Sequence, residues 1–249
     1  MTTANYGVRA TWDSRQVQAA LAALQPKQWA FATAVALTRT AQHVKVAEHA
    51  SMRTVFDRPT PFTMNSLYLQ RATRERQEAR IWFKDFAPKG TPAGKYLLPQ
   101  VHGGQRPDTR FERSLQRAGY LSRGKQLVPA SGASRDAYGN VHRTLFTRIL
   151  SQLRASADPA QNTPRRKNRR QRARGGTFFY GNPGGRGRGV WARYNFAFGN
   201  TVRPIFIEMR QRPTYRARFA FFTVAERVAD QRIGDEFNKA AQETLRTAR

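Results

Sequence analysis

The sequence predicts an α+β fold. Apolar residues recur every three or four positions in long segments near both ends, while short β-rich runs bounded by Gly, Pro and Asn follow one another between them. The first element is read from Asp13, an N-cap with Gln16 three residues on, followed by Val17, Ala20, Leu21 and Leu24 at helical spacing and stopped by Pro26. From Lys27 to about Phe56 there is no Pro or Gly, and residues 29–37 are apolar on most sides, which predicts a long, largely buried helix. Pro59 and Pro61 end it. Residues 66–71 and 79–84 then read as two antiparallel strands.

Residues 88–122 turn to Gly, Pro and basic side chains around Tyr96, Leu97 and Leu98, with a helix opening at Pro107 and Asp108, and read as a helical insertion. A brief strand is expected at 126–129. Leu145, Ile149 and Leu153 mark an amphipathic helix within 141–155. Residues 158–176 have almost no apolar content and are expected to form a flexible basic loop. The runs 177–181, 189–196 and 201–209, punctuated by Asn182, Pro183, Gly184 and Gly185 and then by Gly199 and Asn200, read as a three-stranded meander. From Phe219 to Arg249, Phe222, Ala225, Val228, Ile233, Phe237, Ala241 and Leu245 predict one long or two shorter helices. The whole is expected as a single domain over 1–249.

The 249 residues are 39% apolar and 11% aromatic, enough for a core. Lys and Arg number 44 against 16 Asp and Glu, a formal charge of +28 that calls for a polyanionic or acidic partner. Cysteine is absent, which excludes disulfides, thiolate metal sites and cysteine nucleophiles. The most apolar stretch, 30–37, falls far short of the roughly 20 residues of a spanning helix, so no membrane association is expected. Residues 1–5 do not read as the start of a secretory signal.

No catalytic, cofactor-binding or metal site is expected. His43 and His49 stand six positions apart, about 240° net around a helix, and so face different sides; His102 and His142 have no acidic pair beside them. Asp85, Asp108, Glu112 and Asp136 each have an Arg or Lys close by in sequence, which makes ion pairing the simplest account of them. The Gly-rich run 184–189 lacks the Lys-Ser/Thr ending of a phosphate loop and precedes a strand, so it reads as a hairpin tip whose Arg186 and Arg188 are available for contact.

The strongest signal is charge. Between Asp158 and Glu208 there is no acidic residue, whereas Arg165, Arg166, Lys167, Arg169, Arg170, Arg172, Arg174, Arg186, Arg188, Arg193 and Arg203 accumulate. Such density suits sequence-nonspecific phosphate contact, and Arg165, Arg166, Lys167, Arg169, Arg170, Arg172, Arg174, Arg186 and Arg188 are the expected DNA-contacting residues. Acidic surfaces of protein partners would meet the same loop equally well.

Several stretches together resemble the minor tail protein Z family of tailed phages, tail-completion and neck components. They are residues 24–38 (LQPKQWAFATAVALT), 56–68 (FDRPTPFTMNSLY), 79–85 (ARIWFKD), the runs 189–193 and 203–206, and the closing 219–245 with Ala225, Glu226, Arg227 and Val228. The resemblance implies a structural virion protein, not an enzyme, assembled in the host cytoplasm and acting as a sixfold homo-oligomeric ring at the head–tail joint. Its implied partners are other neck and tail proteins and the viral double-stranded DNA in the channel. The competing expectation is a freestanding, sequence-nonspecific nucleic-acid-binding protein.

Overall fold

A computed structural model describes residues 26–88, 90–163, 176–196 and 199–247. In chain order its elements are α1 (Pro26–Val55), α2 (Pro61–Met64), β1 (Leu67–Gln70), β2 (Arg80–Phe83), α3 (Gly94–His102), β3 (Gly104–Gln105), α4 (Arg110–Arg117), β4 (Leu127–Pro129), α5 (Arg143–Gln152), β5 (Thr177–Gly181), β6 (Gly189–Phe196), β7 (Gly199–Glu208), β8 (Thr214–Tyr215) and α6 (Phe221–Thr247). The fold is α+β, with long helices near both ends and antiparallel sheets between them. The expected helix over 13–24 lies outside the described residues.

The chain divides into two compact units, 1–104 with 216–249, and 105–215. The division runs through the stretch expected as a helical insertion, 88–122. Leu97 of α3 is buried with Met52, Leu67, Phe83, Phe219 and Phe221 in the first unit. Phe111 and Leu115 of α4 are buried with Leu145, Ile149 and Phe206 in the second. Two adjacent short helices thus serve different cores.

In the first unit, α1 and α6 pack as an antiparallel pair. Arg39 donates to Glu243 at 3.0 and 2.8 Å, and four residues along α1 His43 Nε2 lies 3.1 Å from Glu236, seven residues back along α6. Ala32 and Ala36 meet Ala240 and Ala241, small side chains that let the helices approach closely, with Phe237 filling the same cluster. α1 is buried at the consecutive residues Ala32, Thr33 and Ala34 and again at Ala36, then at Thr40, Ala41, Val44, Glu48 and Met52, while Val46 in its second half is 68% exposed. The pairing of β1 with β2 follows the expected hairpin, placing Leu67 opposite Phe83 and Tyr68 opposite Trp82. Thr60 caps α2 by accepting from the Thr63 amide at 3.1 Å.

The second unit is a four-stranded antiparallel sheet, order β4-β7-β6-β5, with α4 and α5 on one face. The expected meander is present, and β4 extends it by pairing with β7. Register shifts between Val190 and Trp191, a bulge that bends the ribbon. Gly189 stands beside it because a Cβ there would lie 2.1 Å from the Phe206 carbonyl oxygen. Trp191 is fully buried.

Candidate nucleic-acid interface

The charge is divided unevenly between the units. Residues 105–215 carry 23 Lys and Arg against 5 Asp and Glu, a net +18, and the remaining residues carry 21 against 11, a net +10. All five carboxylates of the second unit are engaged by nearby protein donors. Asp136 accepts from the amides of Tyr138 and Asn140 in a turn, and Asp158 accepts from the Ala160 amide. Asp108 accepts from Gln126 and from Arg212, a partner 104 residues away. Glu208 accepts from the Tyr180 hydroxyl at 2.7 Å and lies 3.6 Å from Arg188.

Glu112 is the most heavily engaged. It completes a capping box with Thr109, takes two bonds from Arg106 at 2.8 and 2.7 Å, and accepts from the Leu127 amide at 2.8 Å. Burial pushes its carboxyl up, but the Arg106 guanidinium and the Leu127 and Thr109 amides outweigh that and hold it below its ordinary value. One acid therefore ties the start of α4 to β4, and is used for architecture.

Of the expected contact residues, Arg165, Arg166, Lys167, Arg169, Arg170, Arg172 and Arg174 lie outside the described residues, as does most of the expected basic loop at 158–176. The described chain on either side is fixed to one place. Before the Arg-rich stretch, the Thr163 amide donates to the Ser151 carbonyl at 3.0 Å and the Ser151 hydroxyl donates to the Gln161 carbonyl at 2.6 Å. After it, the Phe178 amide donates to Gln152 Oε1 at 2.8 Å. Both flanks of the stretch are thus tied to consecutive residues at the end of α5, and the second flank is the edge strand of the sheet.

Arg186 and Arg188 are both exposed, and the structure separates their roles. The 182–188 loop turns back on itself: the Gly187 amide donates to Asn182 at 2.8 Å, and the Trp191 indole donates to the Gly187 carbonyl at 3.2 Å. Arg186 then lies over the Trp191 ring at 5.9 Å with no carboxylate in ion-pair range among the described residues. Arg188 lies over Tyr180 at 5.6 Å and is also held by Glu208, which leaves it less available. Burial first, then the bond to Glu208, pushes the Tyr180 hydroxyl well above its ordinary range, so it stays a donor.

Two further sheet arginines share the aromatic arrangement. Arg193 lies over Phe179 at 5.2 Å and Arg203 over Tyr194 at 5.8 Å, both exposed. A ring face holds a guanidinium without neutralising it, so these cations keep their charge and lose conformational freedom. They were counted in the basic run but not among the expected contacts. The available signal was a strand carrying aromatic and Arg residues two apart, Trp191 and Arg193, opposite a strand rich in rings.

Among the described residues no group of three or more His, Asp and Glu could hold a metal ion, and no helix is long and apolar enough to cross a membrane. His43 is bound to Glu236, and the Nε2 of His49 is buried without a partner among the described residues. Comparison with protein-family models, with curated proteins and with solved structures returns no match.

Proposed function

We propose that this chain is a structural virion component of a tailed phage, a neck or tail-completion protein that forms a ring at the head–tail joint, with its second unit facing the DNA. The observation that carries the DNA-facing role is the division of charge. The second unit holds +18, occupies all five of its carboxylates internally, and ties both flanks of its Arg-rich stretch to α5. A surface of that kind meets phosphate by counterion release and needs no base-specific geometry. The resemblance to tail-completion proteins supports the virion setting and the ring. A chain at this charge also gains from surrounding an anionic axis, and head-to-tail contacts between copies close into a ring.

Mass spectrometry of purified particles tests the setting, with stoichiometric incorporation expected; electron microscopy is expected to place a ring of copies at the head–tail joint. A protein that stays in the lysate while still binding duplex DNA overturns the virion reading in favour of a freestanding nucleic-acid-binding protein. Titration with duplex DNA tests the DNA-facing role, and log affinity is expected to fall with log salt by roughly 0.9 per phosphate contacted.

A further inference from the structure

Two ring-held guanidiniums stand side by side on one face of the sheet. Phe179 of β5 and Trp191 of β6 are direct partners in the antiparallel register, so their side chains leave the same face, and Arg193, two residues beyond Trp191, leaves it too. Arg193 lies over Phe179 at 5.2 Å. Arg186 reaches the neighbouring ring, Trp191, at 5.9 Å from the 182–188 loop. That loop is fastened at Gly187, whose carbonyl accepts from the Trp191 indole and whose amide donates to Asn182. The opposite face packs on α4 and α5: Phe178 pairs with Ala192, and Phe206, opposite Val190, meets the rings of Phe111 and Phe146. Arg203, opposite Ala192, belongs to that other face.

Directly opposed residues of an antiparallel pair have Cβ atoms about 4.5–5.5 Å apart, so the two rings are neighbours and the cations on them are close. Both arginine side chains are exposed. The sequence from 159 to 207 contains no carboxylate, and Glu208, the next acid along the chain, is engaged by Tyr180 and Arg188 instead. Like charges repel at short range, and a ring face orders a guanidinium without neutralising it. An anion lying along both cations relieves that repulsion.

Resting on the DNA-facing reading above, we infer that Arg186 and Arg193 form a one-sided clamp for a single phosphodiester backbone of the DNA, with Arg203 outside it. A guanidinium fork takes phosphate oxygens through paired bonds, and two forks presented from one face suit successive phosphates of one strand. The contact asks for phosphate and for neither a groove nor a base edge, so one strand alone satisfies it. The two rings and the fastened loop order the forks before binding, which reduces the side-chain freedom lost on contact. A lysine at either position keeps the charge but not the stacked plane.

Fluorescence anisotropy with a 24-base-pair duplex and a 24-nucleotide single strand, across a salt series, tests the inference on the full chain. R186Q and R193Q are each expected to reduce the salt slope by about 0.9 on the duplex and about 0.7 on the single strand, and R203Q to leave both slopes unchanged. R186K and R193K are expected to keep the slopes and weaken binding about threefold to tenfold each, as ordering is lost. Salt-dependent duplex binding that ignores R186Q and R193Q overturns the clamp alone and leaves the DNA-facing reading standing. A slope reduced by R203Q as much as by R186Q and R193Q also overturns the clamp, because the contact is then not one-sided. Absence of salt-dependent DNA binding in the wild type sinks the DNA-facing reading and this inference together. Displacement of the duplex by an equal concentration of polyglutamate of matched charge overturns the clamp in favour of an acidic protein surface.

Discussion

Both units hold cations on carboxylates and on rings, but they place them differently. In the first, Arg39 of α1 is taken by Glu243 of α6, Lys239 lies beside Glu236 within α6, and Arg74 and Arg218 lie on the rings of Phe31 and Phe56. In the second, exposed arginines of the sheet and of the 182–188 loop lie on rings, with Arg186 on Trp191, Arg193 on Phe179 and Arg203 on Tyr194. Pairing with a carboxylate cancels charge as it orders the side chain, whereas a ring orders the side chain and leaves the charge in place. The comparison teaches that what matters for an interface is the charge left after internal pairing, +18 on the second unit against +10 on the rest of the chain.

The units differ as sharply in their buried acids. Glu48 on α1 is 0% exposed and neither carboxylate oxygen has a partner among the described residues, so burial pushes its pKa from the ordinary 4.5 to about 8. Glu112 is 1% exposed and saturated with donors, and its pKa is lowered. The consequences for stability have opposite signs. A folded-state pKa raised at Glu48 makes its contribution complete below about pH 4.5 and lost progressively as pH rises to about 8. A folded-state pKa lowered at Glu112 makes its contribution present above the ordinary value and lost as pH falls through the depressed one.

The largest expected effect follows from Glu48. Ionising it where α1 is buried costs about 5 kcal/mol by pH 8, the shift from 4.5 to about 8 converted at 1.36 kcal/mol per pKa unit. Glu48→Leu is expected to flatten the loss of stability between pH 5 and 8.5 and to raise the urea midpoint at the upper end. An unchanged pH profile would mean that the carboxylate finds water or a partner in solution. Next in size is Glu112→Ala, which strands the Arg106 guanidinium and the Leu127 amide and is expected to cost about 3–5 kcal/mol in urea unfolding at pH 7. A loss under 1 kcal/mol would show that the joint between α4 and β4 is held by packing alone.

Much of the fold is legible in the sequence because it is local. The absence of Pro and Gly over 27–56, the spacing of Leu145 and Ile149, and the turn residues at 182–185 and 199–200 each belong to one element, and α1, α5 and the β5–β7 meander appear where they are expected. What is not local is not legible. Nothing near Leu127 announces its pairing with Glu208, and nothing near Asp108 announces Arg212. The division into units turns on which core receives α3 and which receives α4. The candidate site is legible as a density of charge but not as geometry, because a one-residue slip in strand register would move Arg193 to the other face. Glu48 sits between Val44 and Met52 on the buried stripe of α1, where the four-residue spacing could have marked it.

The smallest expected effect is the sharpest probe of the comparison, because Glu208 holds Arg188, an arginine of the 182–188 loop that also lies on a ring. Tyr180 donates to it, and Arg188 lies 3.6 Å from it and over the Tyr180 ring. Glu208→Gln keeps an oxygen for the Tyr180 hydroxyl and removes the charge facing Arg188, so the fold is expected to lose no more than about 1 kcal/mol. Arg188 then becomes a ring-held cation like Arg186 and Arg193. On duplex DNA the salt slope is expected to steepen by about 0.9 as one more phosphate is contacted, with tighter binding at low salt. A slope that stays the same, with the fold intact by circular dichroism, would show that release from a carboxylate does not recruit an arginine to the interface.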